Sequence, residues 1–90
     1  MVLMGSKTLV IFRINARDMD NLQETEEQLR EVKSGELKDI KRVPIGFGVE
    51  VIKAAFLIDE KSEGALEELT KEVQELDSVE DAEVEGMTLL

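Results

Sequence analysis

Carboxylates, arginines, lysines and one oddly placed phenylalanine are the side chains through which this chain could act, because its 90 residues include no histidine and no cysteine. Those two absences remove imidazole bases, thiolate nucleophiles, disulfide staples and the common zinc and iron sites. The carboxylates cluster at Asp59-Glu60, Glu67-Glu68 and Glu80-Asp81. None of these clusters has the ordered oxygen-ligand spacing of a calcium loop, and no pair stands apart as a tuned acid and base. They read as solvated helix and turn charges, so neither a metal site nor covalent catalysis is expected. Arg13 and Arg17 could hold an anion, but residues 13 to 20 contain no glycine to build a backbone cradle around it. Both read as surface charges.

What remains is Pro44-Ile45-Gly46-Phe47-Gly48, leading into an apolar run from Val49 to Ile58. Phenylalanine is the only aromatic type present, and it occurs three times. Glycines on both sides of Phe47 permit positive φ and remove the Cβ atoms that would shield the ring. A ring held out on a tight loop either folds back as a plug on the end of the molecule or enters a pocket on a partner.

The elements that must position this loop follow from periodicity. Lys7 to Ala16 is rich in β-branched residues and apolar on both alternating faces at its centre, which marks a central strand. Asp20, with Gln23 three residues on, has the spacing of a capping box, and Leu22, Leu29 and Val32 line one side of the helix that follows. Ser34-Gly35 is the expected stop. The apolar stripe is thin, because Thr25 and Glu26 stand where a fuller core face would carry aliphatics. Glu36 to Val43 reads as a charged edge strand with a bulge. Val49 to Ile58 is a second central strand, and Leu66, Leu69, Val73 and Leu76 form a clean helical stripe. Val79 to Leu89 is a last strand, predicted to set Ala82, Val84, Gly86 and Thr88 against Glu83, Glu85 and Met87.

The order is βαββαβ in a single domain spanning residues 1–90, with residues 1–6 expected to be a loose extension. The predicted fold is α+β and ferredoxin-like: a four-stranded antiparallel sheet of order 4-1-3-2 with two helices on one face. A chain this short buries only about 60 to 65% of its surface, so two layers suffice. The Phe47 loop then lies at one end of the sheet and the C-terminus at the other.

Composition narrows the function. Apolar residues make up 42% and charged ones 36%, with a net charge of −10. Residues 1–45 hold eight basic and eight acidic side chains, whereas residues 46–90 hold three and thirteen. A phosphate-binding surface needs the opposite balance, so direct nucleic-acid binding is not expected. Phe12 and Phe56, the only aromatics in the central strands, read as core residues rather than base-stacking platforms. The acidic half is either a solvated face or a steering surface for a basic protein partner. Without a signal peptide or an apolar run of membrane-spanning length, the expected compartment is the cytoplasm.

Taken together, Pro44-Ile45-Gly46-Phe47-Gly48, the strand to Ile58, Asp59-Glu60, the glycine-bearing turn, Leu66-Glu67-Glu68 and Asp77-Ser78-Val79-Glu80 resemble the guanine-nucleotide exchange domain of elongation factor 1-beta. The likeness is close over the second half of the chain and one of layout over the first, and the length points to the archaeal form. The resemblance implies a non-enzymatic exchange factor without cofactor for the elongation factor 1-alpha-type GTPase that delivers aminoacyl-tRNA, monomeric when free. It implies that Pro44, Ile45, Gly46, Phe47 and Gly48 bind the partner, with Phe47 entering a pocket, and that the opposite end works near the nucleotide. Eukaryotic members carry a penultimate lysine at that end, where this chain has Leu89 followed by Leu90. Lys61, in the turn before the second helix, is the candidate to supply that cation. A competing class is a small-ligand regulatory domain of the same fold, dimeric and built around a glycine-lined notch after the first strand, which Asn15-Ala16-Arg17-Asp18 does not provide.

Overall fold

The computed structural model of the protein describes residues 7–59 and 64–89. Over these, β1 (Lys7–Ala16), α1 (Leu22–Arg30), β2 (Glu36–Gly46), β3 (Val49–Asp59), α2 (Ala65–Gln74) and β4 (Val79–Leu89) follow in order. The expected extension over residues 1–6, Lys61 and Leu90 lie outside the described residues. All strand pairs are antiparallel and their order is β2-β3-β1-β4, the predicted 4-1-3-2 arrangement.

The core follows from strand parity. Val10, Phe12, Ile14 and Ala16 of β1 point toward the helices together with Ile52, Ala54, Phe56 and Ile58 of β3, and all are buried. Phe12 and Phe56 meet edge to face, with ring centroids 5.9 Å apart and planes at 82°. Leu22 and Leu29 of α1 and Leu69 and Val73 of α2 close the layer from above. The other face of the sheet is left uncovered by the described residues.

Helix α1 departs from its sequence reading at both ends. Asp18 Oδ1 accepts the Asp20 N–H at 2.9 Å, which holds Asp20 in the turn, and the cap passes to Asn21, whose side chain accepts the Glu24 N–H. The helix stops at Arg30 rather than at Ser34-Gly35. Glu72 of α2 takes the Lys33 and Ser34 N–H groups, each at 3.0 Å, and accepts from the Ser34 hydroxyl as well. Gly35 serves close approach, since a Cβ there would sit 3.2 Å from both Ile58 and Leu69. The thin stripe also has an explanation. Thr25 is fully buried and donates to the Ser78 carbonyl, while Gln28 Oε1 accepts from the Ser78 N–H and hydroxyl at 3.0 and 2.8 Å. These polar residues fasten α1 to the α2–β4 turn instead of filling the sheet layer.

The edge strands are irregular. β2 bulges between Leu37 and Asp39 and again between Pro44 and Gly46. In β4 a shift at Glu85 breaks the predicted alternation: Val84 lies opposite Phe12 and Gly86 opposite Ile11, so Met87 falls opposite Val10 on the helix side. An extra residue in one strand reverses the parity of everything after it.

Candidate functional site

The hairpin between β2 and β3 carries the residues singled out by sequence. Gly46 pairs with Val49, leaving Phe47 and Gly48 as a two-residue turn. Gly46, Phe47 and Gly48 have φ of 109°, 56° and 76°. Positive φ at both turn positions is the pattern of a type I′ hairpin, whose twist matches that of the strands. A phenylalanine in the left-handed region is unusual and costs on the order of 1 kcal/mol. Neither flanking glycine is needed for space, as a Cβ at Gly46 or Gly48 would meet nothing within 4 Å. Their role is conformational.

The strained backbone turns the Phe47 ring fully into solvent, with a relative exposure of 105%. It does not tuck onto the end of the sheet. Ile45, unpaired at the bulge, is 51% exposed beside it, and Pro44 is exposed as well. Pro44 sits where its missing N–H does no damage, on an edge strand. The three side chains make an apolar tip on a rigid hairpin, anchored by Arg42, which donates to both carboxylate oxygens of Glu26 on α1 at 2.8 and 3.0 Å. Hydrogen bonding to Arg42 holds the Glu26 carboxyl below the usual glutamate range.

The second predicted region lies at the opposite end. Leu89 pairs with Thr8, which pairs in turn with Ile58. Ile58 lies nine positions along β3 from Val49 at the tip, about 30 Å of strand. Leu89 is 65% exposed and Met87 53%. The sequence-predicted residues are therefore brought together within the tip, and tip and tail are kept apart. Among the described residues, no three acidic groups converge as a metal site, and no helix is long and apolar enough to cross a membrane.

Sequence reasoning missed two features near these ends. Arg17 donates to the Asp77 carbonyl at 2.9 Å and to Glu80 at 2.9 Å, tying the β1–α1 loop to the start of β4. Basic side chains also gather on the uncovered sheet face, a pattern hidden when charges are summed along the chain and visible once strand register is known.

The family described as the EF-1 guanine nucleotide exchange domain matches residues 9–90. No curated protein matches the chain. Among solved structures, the solution structure of the C-terminal domain of the MgtC protein from Mycobacterium tuberculosis is similar, with a TM-score of 0.51 at 14% identity over all of this chain and 93% of that one. At that identity the likeness is one of fold alone.

Proposed function

The chain belongs to the EF-1 guanine nucleotide exchange domain family, and we propose that it speeds GDP release from the elongation factor 1-alpha-type GTPase that delivers aminoacyl-tRNA to the ribosome. The observation that carries this reading is Phe47, fully exposed on a left-handed turn. Leaving a phenylalanine in water forgoes about 1.5–3 kcal/mol of burial. An apolar pocket on a partner recovers that energy, and backbone strain at functional positions has the same logic.

Exchange requires no bond to be made or broken in the protein. A factor that binds the nucleotide-free GTPase more tightly than the GDP-bound form shifts the equilibrium by that difference in affinity alone. Pro44, Ile45 and Phe47 would grip the GTPase at one end, with Gly46 and Gly48 fixing the turn. The end bearing Leu89 would then lie near the nucleotide. Lys61, in the connection between Asp59 and Gly64 at that end, is the cation proposed to act there; normal exchange by Lys61→Ala would remove it.

The free protein is proposed to be a monomer. Pairing two β4 edges would align Glu80, Asp81, Glu83 and Glu85 of one copy with those of another, and the β2 edge is interrupted by Pro44 and two bulges. The deciding experiment follows release of fluorescent GDP from the GTPase with and without this protein. Acceleration is expected, and an unchanged rate would rule out the exchange role.

A further inference from the structure

Of the two residues that thin the apolar stripe of α1, Thr25 is taken up by Ser78 and Glu26 by Arg42. The second pairing sits at a particular place in the sheet. Arg42 lies opposite Ile52, and Ile52 lies opposite Ile14, the last position at which β1 pairs with β3. Toward the turn the β2–β3 ladder runs on through Val43–Val51, Pro44–Glu50 and Gly46–Val49 without β1 beside it. The end of the hairpin is therefore a two-stranded ribbon, a form that twists more freely than a wider sheet and is marginal on its own.

Arg42 marks the root of that ribbon. Buried Val51 steadies the root on the open face of the sheet, and the fork from Arg42 to Glu26 steadies it on the helix face. Among the described residues, the fork is the one side-chain hydrogen bond or ion pair that joins either strand of the hairpin to α1. Two parallel bonds from a planar guanidinium to a carboxylate fix direction as well as distance. Phe47 stands five positions beyond Arg42, about 15 Å along the ribbon. At that length a rotation of about 10° at the root moves the ring by about 3 Å, more than a fitted pocket tolerates.

Stability gives little reason for the pair. The Glu26 side chain is 16% exposed and that of Arg42 41%, and ion pairs open to water contribute little to folding. Two aliphatic residues at these positions would extend the core around Ile14 and Ile52 and bury more apolar surface, without fixing an angle.

We infer that Arg42 and Glu26 are positioning residues for nucleotide exchange: the fork holds the ribbon at the angle from which Phe47 enters the GTPase while the far end of the sheet reaches the nucleotide. The inference rests on the exchange-factor reading. Two contacts on one body reinforce each other only where geometry lets both engage at once, and a ribbon ordered beforehand spares the complex that ordering cost. Neither Arg42 nor Glu26 need touch the GTPase, since both act through Phe47.

The test combines measurements on the wild type, Glu26→Gln, Phe47→Ala and the double variant carrying both changes. Glutamine keeps the shape of the side chain and removes the charge and one acceptor of the fork. In free Glu26→Gln, amide nitrogen relaxation is expected to show Phe47 and Gly48 losing order relative to wild type, with Phe12 and Phe56 staying near the order parameter of about 0.85 of rigid backbone. Its melting temperature is expected to stay within about 4 °C of wild type. In titration of the nucleotide-free GTPase, Glu26→Gln is expected to bind about fivefold more weakly than wild type. In the Phe47→Ala background the same change is expected to have no further effect, because the ring through which it acts is gone.

Wild-type order at the tip of Glu26→Gln overturns the inference. Wild-type affinity for Glu26→Gln alongside weakened Phe47→Ala overturns it and leaves the exchange reading standing. An equal loss in both backgrounds overturns it too, since the charge on α1 would then act on the GTPase without the ring. A fall in melting temperature well beyond 4 °C assigns the pair to stability instead. Absence of any wild-type binding to the GTPase sinks both readings, even where the tip amides respond.

Discussion

The three phenylalanines of this chain meet opposite fates. Phe12 and Phe56 are fully buried and packed edge to face, whereas Phe47 is as exposed as a side chain can be. Composition treats them alike; backbone geometry separates them. Phe12 and Phe56 lie on strand positions whose parity points at the helices, and Phe47 lies on a left-handed turn between two glycines that points at nothing. The hydrophobic effect sets what exposure costs, and the proposed partner pocket is where that cost would be recovered.

The sharpest way to break that contrast is to truncate both kinds of ring. Phe56→Ala should cost about 3–5 kcal/mol through lost burial and a cavity. That is a large share of the 5–15 kcal/mol typical of a domain. Urea denaturation would show it as a lower midpoint, and a wild-type midpoint would mean the pair is not the centre of the core. Phe47→Ala should leave the unfolding free energy within about 0.5 kcal/mol of wild type, as for other surface positions. Its affinity for the GTPase should fall by about 2 kcal/mol, roughly thirtyfold. If calorimetric titration gives the same affinity for both proteins, the tip is not an anchor.

The sequence already held much of this contrast. The β-branched alternation of β1 and β3 has period two, so their buried faces could be read directly, and the glycines around Phe47 announced the turn. What could not be read depends on contacts between distant residues. Glu72 reaches the Lys33 and Ser34 N–H groups 39 and 38 positions away, and so ends α1 earlier than Ser34-Gly35 indicated. The extra residue at Glu85 reverses the parity of β4, and Gly86 beside it is the bulge signal that a reading by simple alternation passes over. The row of Lys41, Lys53 and Arg13 exists only across strands, where summing charges along the chain cannot see it.

Glu72 extends the contrast to the two ends of the sheet, one free and one fastened. Partial burial pushes its carboxyl upward, but the Ser34 hydroxyl and the Lys33 and Ser34 N–H groups outweigh it, and the group lies below the ordinary glutamate range. A lowered folded-state value means stability that is present at neutral pH and lost as pH falls below about 4.5. Glu72→Gln should therefore cost about 1–2 kcal/mol at pH 7 and progressively less as the pH is lowered below 4.5, measured by denaturation at neutral and at acid pH. Equal costs at both would show that the charge is not what fastens this corner.

The smallest effect carries the most pointed comparison. Asparagine tolerates the left-handed region better than any other non-glycine residue, and Asn-Gly is the preferred pair for a type I′ turn. Phe47→Asn keeps the hairpin, removes the ring and relieves the strain at φ 56°. It should stabilise the free protein by about 0.5–1 kcal/mol, a rise in melting temperature of roughly 2–8 °C for a domain of this size. The same variant should lose GTPase affinity as Phe47→Ala does. Opposite signs for stability and binding at one residue are what a ring kept for a partner requires, since its cost falls on the free protein and its benefit on the complex. A lower melting temperature for Phe47→Asn would mean that the ring makes stabilising contacts within its own fold, and the division between the core pair and the tip would fail at its central residue.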